Sequence, residues 1–232
     1  MAPSSTPPAA DDDAAPGAPD PAGSGVPGVL LDLDGTLVDS VYQHVVAWHE
    51  ALRIHGHDVA QRRVHAGIGM GSDRLVPWLL GRHVEDAGAI SDEHTRRFLD
   101  RVDTLRPTSG ARELLDDLER RRVPYVVATS ADGEERAALL DVLGRRDLPV
   151  VDAEGVESSK PAPELLEVAC ARQGFAPARS VMVGDASWDA LAARALGLEA
   201  VAVLCGGVAD AVLREAGARR IVDDPAALVG QL

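Results

Sequence analysis

The chain has 232 residues, 46% hydrophobic and 3% aromatic, with 23 basic against 37 acidic side chains and a formal net charge of −14. That length can bury the core of one ordinary domain, or of a core domain with a modest insertion, and the acidic balance speaks against a nucleic-acid or anionic-membrane partner. No apolar run reaches the roughly 18 residues of a membrane-spanning helix, and Cys170 and Cys205, far apart and without CxxC spacing, indicate neither a disulfide framework nor a zinc site. A soluble, cytoplasmic protein is the expectation; its oligomeric state is left open.

Residues 1–27 are almost entirely Ala, Pro, Gly, Ser and Asp, with one valine and no aromatic residue. Such a composition cannot bury enough apolar area to offset the entropy of ordering, so it reads as a disordered tail. It lacks the basic start and apolar stretch of a signal peptide. Next comes Val29–Leu33, a short apolar run of strand type that ends among acids. From about Ser40 to Arg106 only helical patterns follow: Val41, Val45, Trp48 and Leu52, then Leu75, Trp78 and Leu79, then Phe98, Val102 and Leu105. Beyond them, helical segments 110–121, 134–143, 163–173, 188–196 and 209–216 alternate with buried-strand candidates at Tyr125–Ala128, Val181–Val183 and Ala200–Leu204. Gly144, Gly174, Gly197 and Gly217 stand where helix C-termini are expected. Strand and helix in alternation imply an α/β fold, a Rossmann-like, doubly wound parallel sheet covered on both faces. The organisation expected is a tail over 1–27, an α/β core over 28–39 and 107–232, and an inserted all-helical cap domain over 40–106.

In open α/β sheets ligands bind at the carboxyl ends of the strands, and the acids fall there. The first strand ends in Asp32-Leu33-Asp34-Gly35-Thr36, where the period of two starts both aspartates on one side and Gly35 permits a sharp departure of the backbone. A second strand ends in Thr129-Ser130. A third ends in Gly184-Asp185, with Asp189 four residues on and on the same face of the following helix. Lys160, in a Ser-Ser-Lys-Pro segment, is the chain's one lysine. Several carboxylates converging on a sheet edge repel one another unless a cation intervenes. A hard divalent ion, Mg²⁺ where phosphate supplies further oxygens, answers that need. One carboxylate is then able to attack while its neighbour moves a proton, and a threonine hydroxyl and a lysine ammonium suit the oxygens of a transferring phosphoryl group.

The string DLDGTLVDS, the apolar run ending in Thr129, the SSKPAPE segment and the GDASWD segment resemble, in order, the four motifs of the haloacid dehalogenase superfamily over residues 28–205. The helical segment after the first motif looks like the cap of the subfamily holding phosphoglycolate phosphatases and β-phosphoglucomutases. The resemblance implies Asp32 as a nucleophile forming an aspartyl-phosphate and Asp34 as general acid and base. It implies Thr129 and Lys160 as further catalytic groups on the phosphoryl oxygens, with Asp32, Asp185 and Asp34 (the last through its carbonyl) holding Mg²⁺. Asp189 would act from behind them or hold Lys160 in place. Thr36, Ser130 and Arg74 are the expected substrate contacts, Arg74 from a glycine-rich cap segment, Gly67–Arg74, that points toward the cleft. The partner is a small phosphorylated metabolite.

Within the family, Asp34 favours phosphoryl transfer over carbon–halogen chemistry, and a cap without lysine argues against Schiff-base chemistry. Hydrolysis of a phosphomonoester is the expectation. A β-phosphoglucomutase-like mutase, which needs a cap that grips a second phosphate, and a non-catalytic phosphate-binding relative are the alternatives. Trp48 and Trp78 read as packing residues, and the histidines of the cap, His44, His49, His55, His57 and His65, as exposed or packing groups without a metal-ligand pattern. Cys170 reads as a small buried hydrophobe.

Overall fold

The computed structural model describes residues 25–131, 133–152 and 159–232. Strand β1 (Val29–Leu31) leads into helices α1 (Val41–Ile54), α2 (Gln61–Gly67), α3 (Ser72–Leu80) and α4 (Ala87–Leu99). The chain then continues through α5 (Ala111–Arg121), β2 (Tyr125–Ala128), α6 (Gly133–Leu143), β3 (Val150–Val151), α7 (Glu164–Gln173), β4 (Val181–Gly184), α8 (Ser187–Leu196), β5 (Glu199–Val203), α9 (Asp210–Ala216) and β6 (Arg220–Val222). Among the described residues the strands form one six-stranded sheet in the order β3-β2-β1-β4-β5-β6. Every pairing is parallel. The chain winds outward in both directions from β1, and the switch point lies between β1 and β4.

The expected strands overlap β1, β2, β4 and β5, running two residues past the end of β1 and one past that of β5; β3 and β6 are additional. The first is two residues long, and the second has Arg220 in it and no fully buried residue, so neither makes an apolar run that stands out from its surroundings. The expected glycines follow α6, α7, α8 and α9. The end of the presumed tail is bound to the body. Val26 N–H donates to the Gly174 carbonyl at 3.0 Å and the Val26 carbonyl accepts from Ala176 N–H at 2.9 Å. The remainder of that segment, residues 1–24, lies outside the described residues.

Both faces of the sheet are covered, because in a parallel sheet the crossovers lay helices on each side. Leu31, Val127 and Val183 face Leu114, Leu115 and Leu118 of α5 and Leu139 and Leu143 of α6. Leu30, Val126 and Met182 face Leu165, Ala169, Ala190 and Ala193 of α7 and α8. Alternation along the strands thus divides the apolar side chains between two layers. Helices α1 to α4 have a buried core of their own, in which Val41, Val45, Trp48 and Leu52 of α1 meet Leu75, Val76 and Leu79 of α3 and Ile90 of α4. Those α1 positions recur at the helical spacing of the sequence. The helical unit therefore sits over the carboxyl ends of the strands as a lid with its own interior.

Candidate active site

Asp32, Thr129 and Asp185 follow β1, β2 and β4 directly, so three adjacent strand ends deliver them to one place. All three are buried. Lys160 arrives from the loop before α7 and is 0% exposed. Its Nζ is bonded to Asp32 Oδ1, lies 2.8 Å from Asp189 Oδ1 and donates to the Ala128 carbonyl at 3.3 Å. Asp189 uses its other oxygen to accept from Ala186 N–H at 3.1 Å, fixing the first turn of α8. With both its oxygens occupied, Asp189 holds the lysine and caps the helix.

The electrostatics follow from burial. Asp32 is pushed up to about 7, chiefly by loss of water and further by Asp189 and Asp34, against the pull of Lys160. Asp185 is raised well above the carboxylate range by burial and by the charges of Asp32 and Asp189. Burial alone would lower Lys160, but Asp189 and Asp32 outweigh it and hold the ammonium charged. One ammonium among three carboxylates leaves an unbalanced negative charge, the condition a divalent cation relieves. Oxygens of Asp32, Asp185 and Asp189 lie within 4.8 Å of one another. Of these, Asp32 and Asp185 fit a hard, oxygen-seeking ion best, since Asp189 is committed elsewhere.

Two glycines make room for Asp185. A Cβ on Gly35, whose φ is 72°, or on Gly206 would collide with the Asp185 carboxylate. Thr36, an expected substrate contact, donates from Oγ1 to Asp185 Oδ1 at 3.0 Å and orients it. Thr129 is buried, and its Oγ1 accepts from Ala131 N–H at 3.0 Å. Ser130 lines the cleft, and its buried Oγ has no partner among the described residues. Arg74 is exposed and is not among the residues lining the cleft, although Ser72 and Leu75 on either side of it are.

Asp34 also lines the cleft. Its Oδ1 accepts from Ser40 Oγ at 2.6 Å and meets His44 Nε2 at 2.8 Å, leaving Oδ2 without a partner among the described residues. His44 takes the packing role of the two expected, being buried, and begins a chain of contacts absent from the sequence reading. His44 Nδ1 lies 2.9 Å from His94 Nε2 on α4. His94 Nδ1 lies 3.3 Å from Glu135 Oε1 on α6, which Thr95 Oγ1 also reaches. His44 stacks on Phe98 at 3.8 Å and His94 on Trp48 at 4.0 Å between ring centroids. Burial disfavours a charge on His44, but Asp34 and its hydrogen bond outweigh that and raise its pKa. Burial holds His94 below its ordinary value despite the Glu135 hydrogen bond, and the charge of His44 adds to the depression. Burial would raise Glu135, yet the His94 hydrogen bond and the imidazole charges hold it at about 2. The protonation consistent with these directions is a His44 imidazolium donating to Asp34 and to His94, and a neutral His94 donating to Glu135. Two carboxylates of the core thus grip a pair of imidazoles of the helical lid, one from each end.

Comparisons with known proteins place the chain in a family. The family model described as haloacid dehalogenase-like hydrolase matches residues 26–197. The chain is 30% identical over 207 residues to a phosphoglycolate phosphatase of Pseudomonas savastanoi pv. phaseolicola, covering 84% of this chain and 76% of that one. It is 31% identical over 191 residues to a fructose-1-phosphate phosphatase of Escherichia coli K12, covering 76% and 95%. The crystal structure of a hydrolase from Pseudomonas syringae superposes with a TM-score of 0.85 at 33% identity, covering 88% of this chain and 96% of that one. The chain belongs to the haloacid dehalogenase-like hydrolases and is an enzyme of that family's phosphate-ester hydrolases.

Proposed function

We propose that the chain is a Mg²⁺-dependent phosphatase of a small phosphomonoester that works through an aspartyl-phosphate on Asp32. The observation that carries this reading is the clamp on Lys160. A fully buried ammonium held between Asp32 and Asp189 is costly unless it serves its neighbours, and here it leaves Asp32 lining the cleft with a cation beside it. Asp32 attacks phosphorus, the bond to the leaving oxygen breaks, and Asp34 gives that oxygen a proton. Water then attacks the acyl phosphate while the Asp34 carboxylate takes a proton from it, the bond from phosphorus to the Asp32 oxygen breaks, and the Asp32 carboxylate is restored. Asp34 suits this double duty because Ser40 and His44 anchor one of its oxygens while the other is free. Lys160 and the unpartnered Ser130 hydroxyl supply donors to the phosphoryl oxygens, and the Thr129 hydroxyl stands beside them. A bound Mg²⁺, held by Asp32, Asp185 and the Asp34 carbonyl, would neutralise charge on the phosphate and on these carboxylates.

The test is phosphate release from a panel of phosphomonoesters with and without Mg²⁺, in the wild type and in Asp32→Asn. Release that requires Mg²⁺ and disappears in the variant, with an acid-quenched wild type gaining one phosphoryl mass, supports the reading. A folded wild type that releases phosphate from no phosphomonoester overturns it.

A further inference from the structure

The cleft above Asp32 and Asp34 has an unusual charge inventory for a site that handles phosphate. The chain has one lysine and otherwise only arginine as permanent cations. That lysine is buried beneath Asp32, among Asp32, Asp189 and the Ala128 carbonyl, where it serves the nucleophile and the transferring phosphoryl group and not a second anion. Among the described residues no arginine lines the cleft. Residues 1–24, 132 and 153–158, outside the described set, contain no lysine or arginine either. The charged group left on the lid side is His44, and both its N–H groups are engaged, one by Asp34 and one by His94.

The wall away from the nucleophile presents Glu135, a carboxylate held at about 2, together with His94, Thr95 and Ser91. A carboxylate fixed by two donors in a poorly hydrated wall repels a second anion on the substrate and accepts hydrogen bonds from hydroxyls. The indole of Trp48, stacked on His94, adds an apolar face of the kind that meets C–H groups.

Resting on the hydrolytic reading above, we propose that Glu135, supported by His94, selects the leaving alcohol: an uncharged, hydroxyl-bearing sugar or polyol is admitted, and a leaving group with a second carboxylate or phosphate is rejected. The same wall disfavours mutase chemistry, since among the described residues no lysine or arginine side chain lines the cleft to grip a second phosphate.

The test compares kcat/KM within matched pairs, glycerol phosphate against phosphoglycolate and a hexose 6-phosphate against the corresponding 1,6-bisphosphate, in wild type, Glu135→Gln and Glu135→Asp. Wild type is expected to favour the uncharged member by about ten- to a hundredfold, the scale of like-charge repulsion in such a wall. In Glu135→Gln the ratio narrows by about tenfold, mainly through a lower KM for the anionic member, and Glu135→Asp restores part of it. A merely structural Glu135 would slow both members of a pair alike. Wild-type preference for phosphoglycolate or the bisphosphate overturns the proposal with hydrolysis intact, as does a ratio unchanged in Glu135→Gln. The wild-type ratio needs no variant to fold. Silence toward every phosphomonoester overturns the hydrolytic reading, and the selectivity with it.

Discussion

His44 Nε2 lies 2.8 Å from Asp34 Oδ1, so the first helix of the lid is hydrogen-bonded to the candidate acid of the core. A side chain that fixes one carboxylate oxygen decides where the other points. Substituting His44→Ala should therefore lower kcat by about ten- to a hundredfold with little change in KM, the pattern of a lost transition-state contact. The loss should be greater for alkyl phosphates than for an aryl phosphate, whose leaving oxygen needs less protonation. Steady-state kinetics on the two classes would check it, and an equal loss on both would refute the positioning role.

Lys160 is the sole ammonium between two buried carboxylates. Lys160→Met leaves Asp32 and Asp189 uncompensated, a change that typically costs about 3–5 kcal/mol. For a chain of this size that is a fall in Tm of roughly 10 °C. Thermal unfolding at pH 7 measures it, and a Tm within about 2 °C of wild type would remove the clamp from the account.

The relay gives stability a pH dependence of two opposite signs. Glu135 is lowered from 4.5 to about 2 in the folded protein. Its contribution, roughly 3 kcal/mol at about 1.4 kcal/mol per unit, is present above 4.5 and is lost as pH falls from there toward 2. His44 is raised above 6.5. Its contribution is complete below 6.5 and is lost as pH rises through the folded value. In Tm-against-pH profiles Glu135→Gln should therefore flatten the acid limb, and His44→Gln should lose most relative to wild type below 6.5.

The repulsion among Asp32, Asp185 and Asp189 predicts stabilisation by a divalent ion. An ion that binds only the folded state contributes about 2.7 kcal/mol at a hundred times its Kd. Addition of Mg²⁺ should raise Tm, chelation should reverse the rise, and Asp185→Asn should blunt it. A thermal shift unaffected by Asp185→Asn would place the ion elsewhere.

Much of the architecture is legible in local pattern. The apolar positions of α1 repeat at helical spacing and are the ones buried, and the α/β alternation after residue 107 yields the parallel sheet. The positions of Asp32, Thr129 and Asp185 at strand ends follow from each acid or hydroxyl closing an apolar run. The relay was not legible, because its members carry no local signature. His44, His94 and Glu135 are separated by 50 and then 41 positions, lie on three different helices, and meet only when the lid folds onto the core. The hydrogen bond from Thr36 to Asp185 was not legible for a similar reason. A motif gives the order of residues along the chain, and whether a hydroxyl turns to substrate or to Asp185 is decided by glycines at 35 and 206 that bring that carboxylate near. Strands β3 and β6 were missed because a pair of valines and an Arg-Ile-Val triplet make no period.

The buried lysine has a practical consequence. An amine-reactive reagent meets one ε-amine in this chain, and that amine is sealed between Asp32 and Asp189 beneath the cleft. Side-chain acylation of the folded protein is therefore a direct clock on how often the floor of the site breathes open. A surface decorated only with arginine keeps the background of that signal silent.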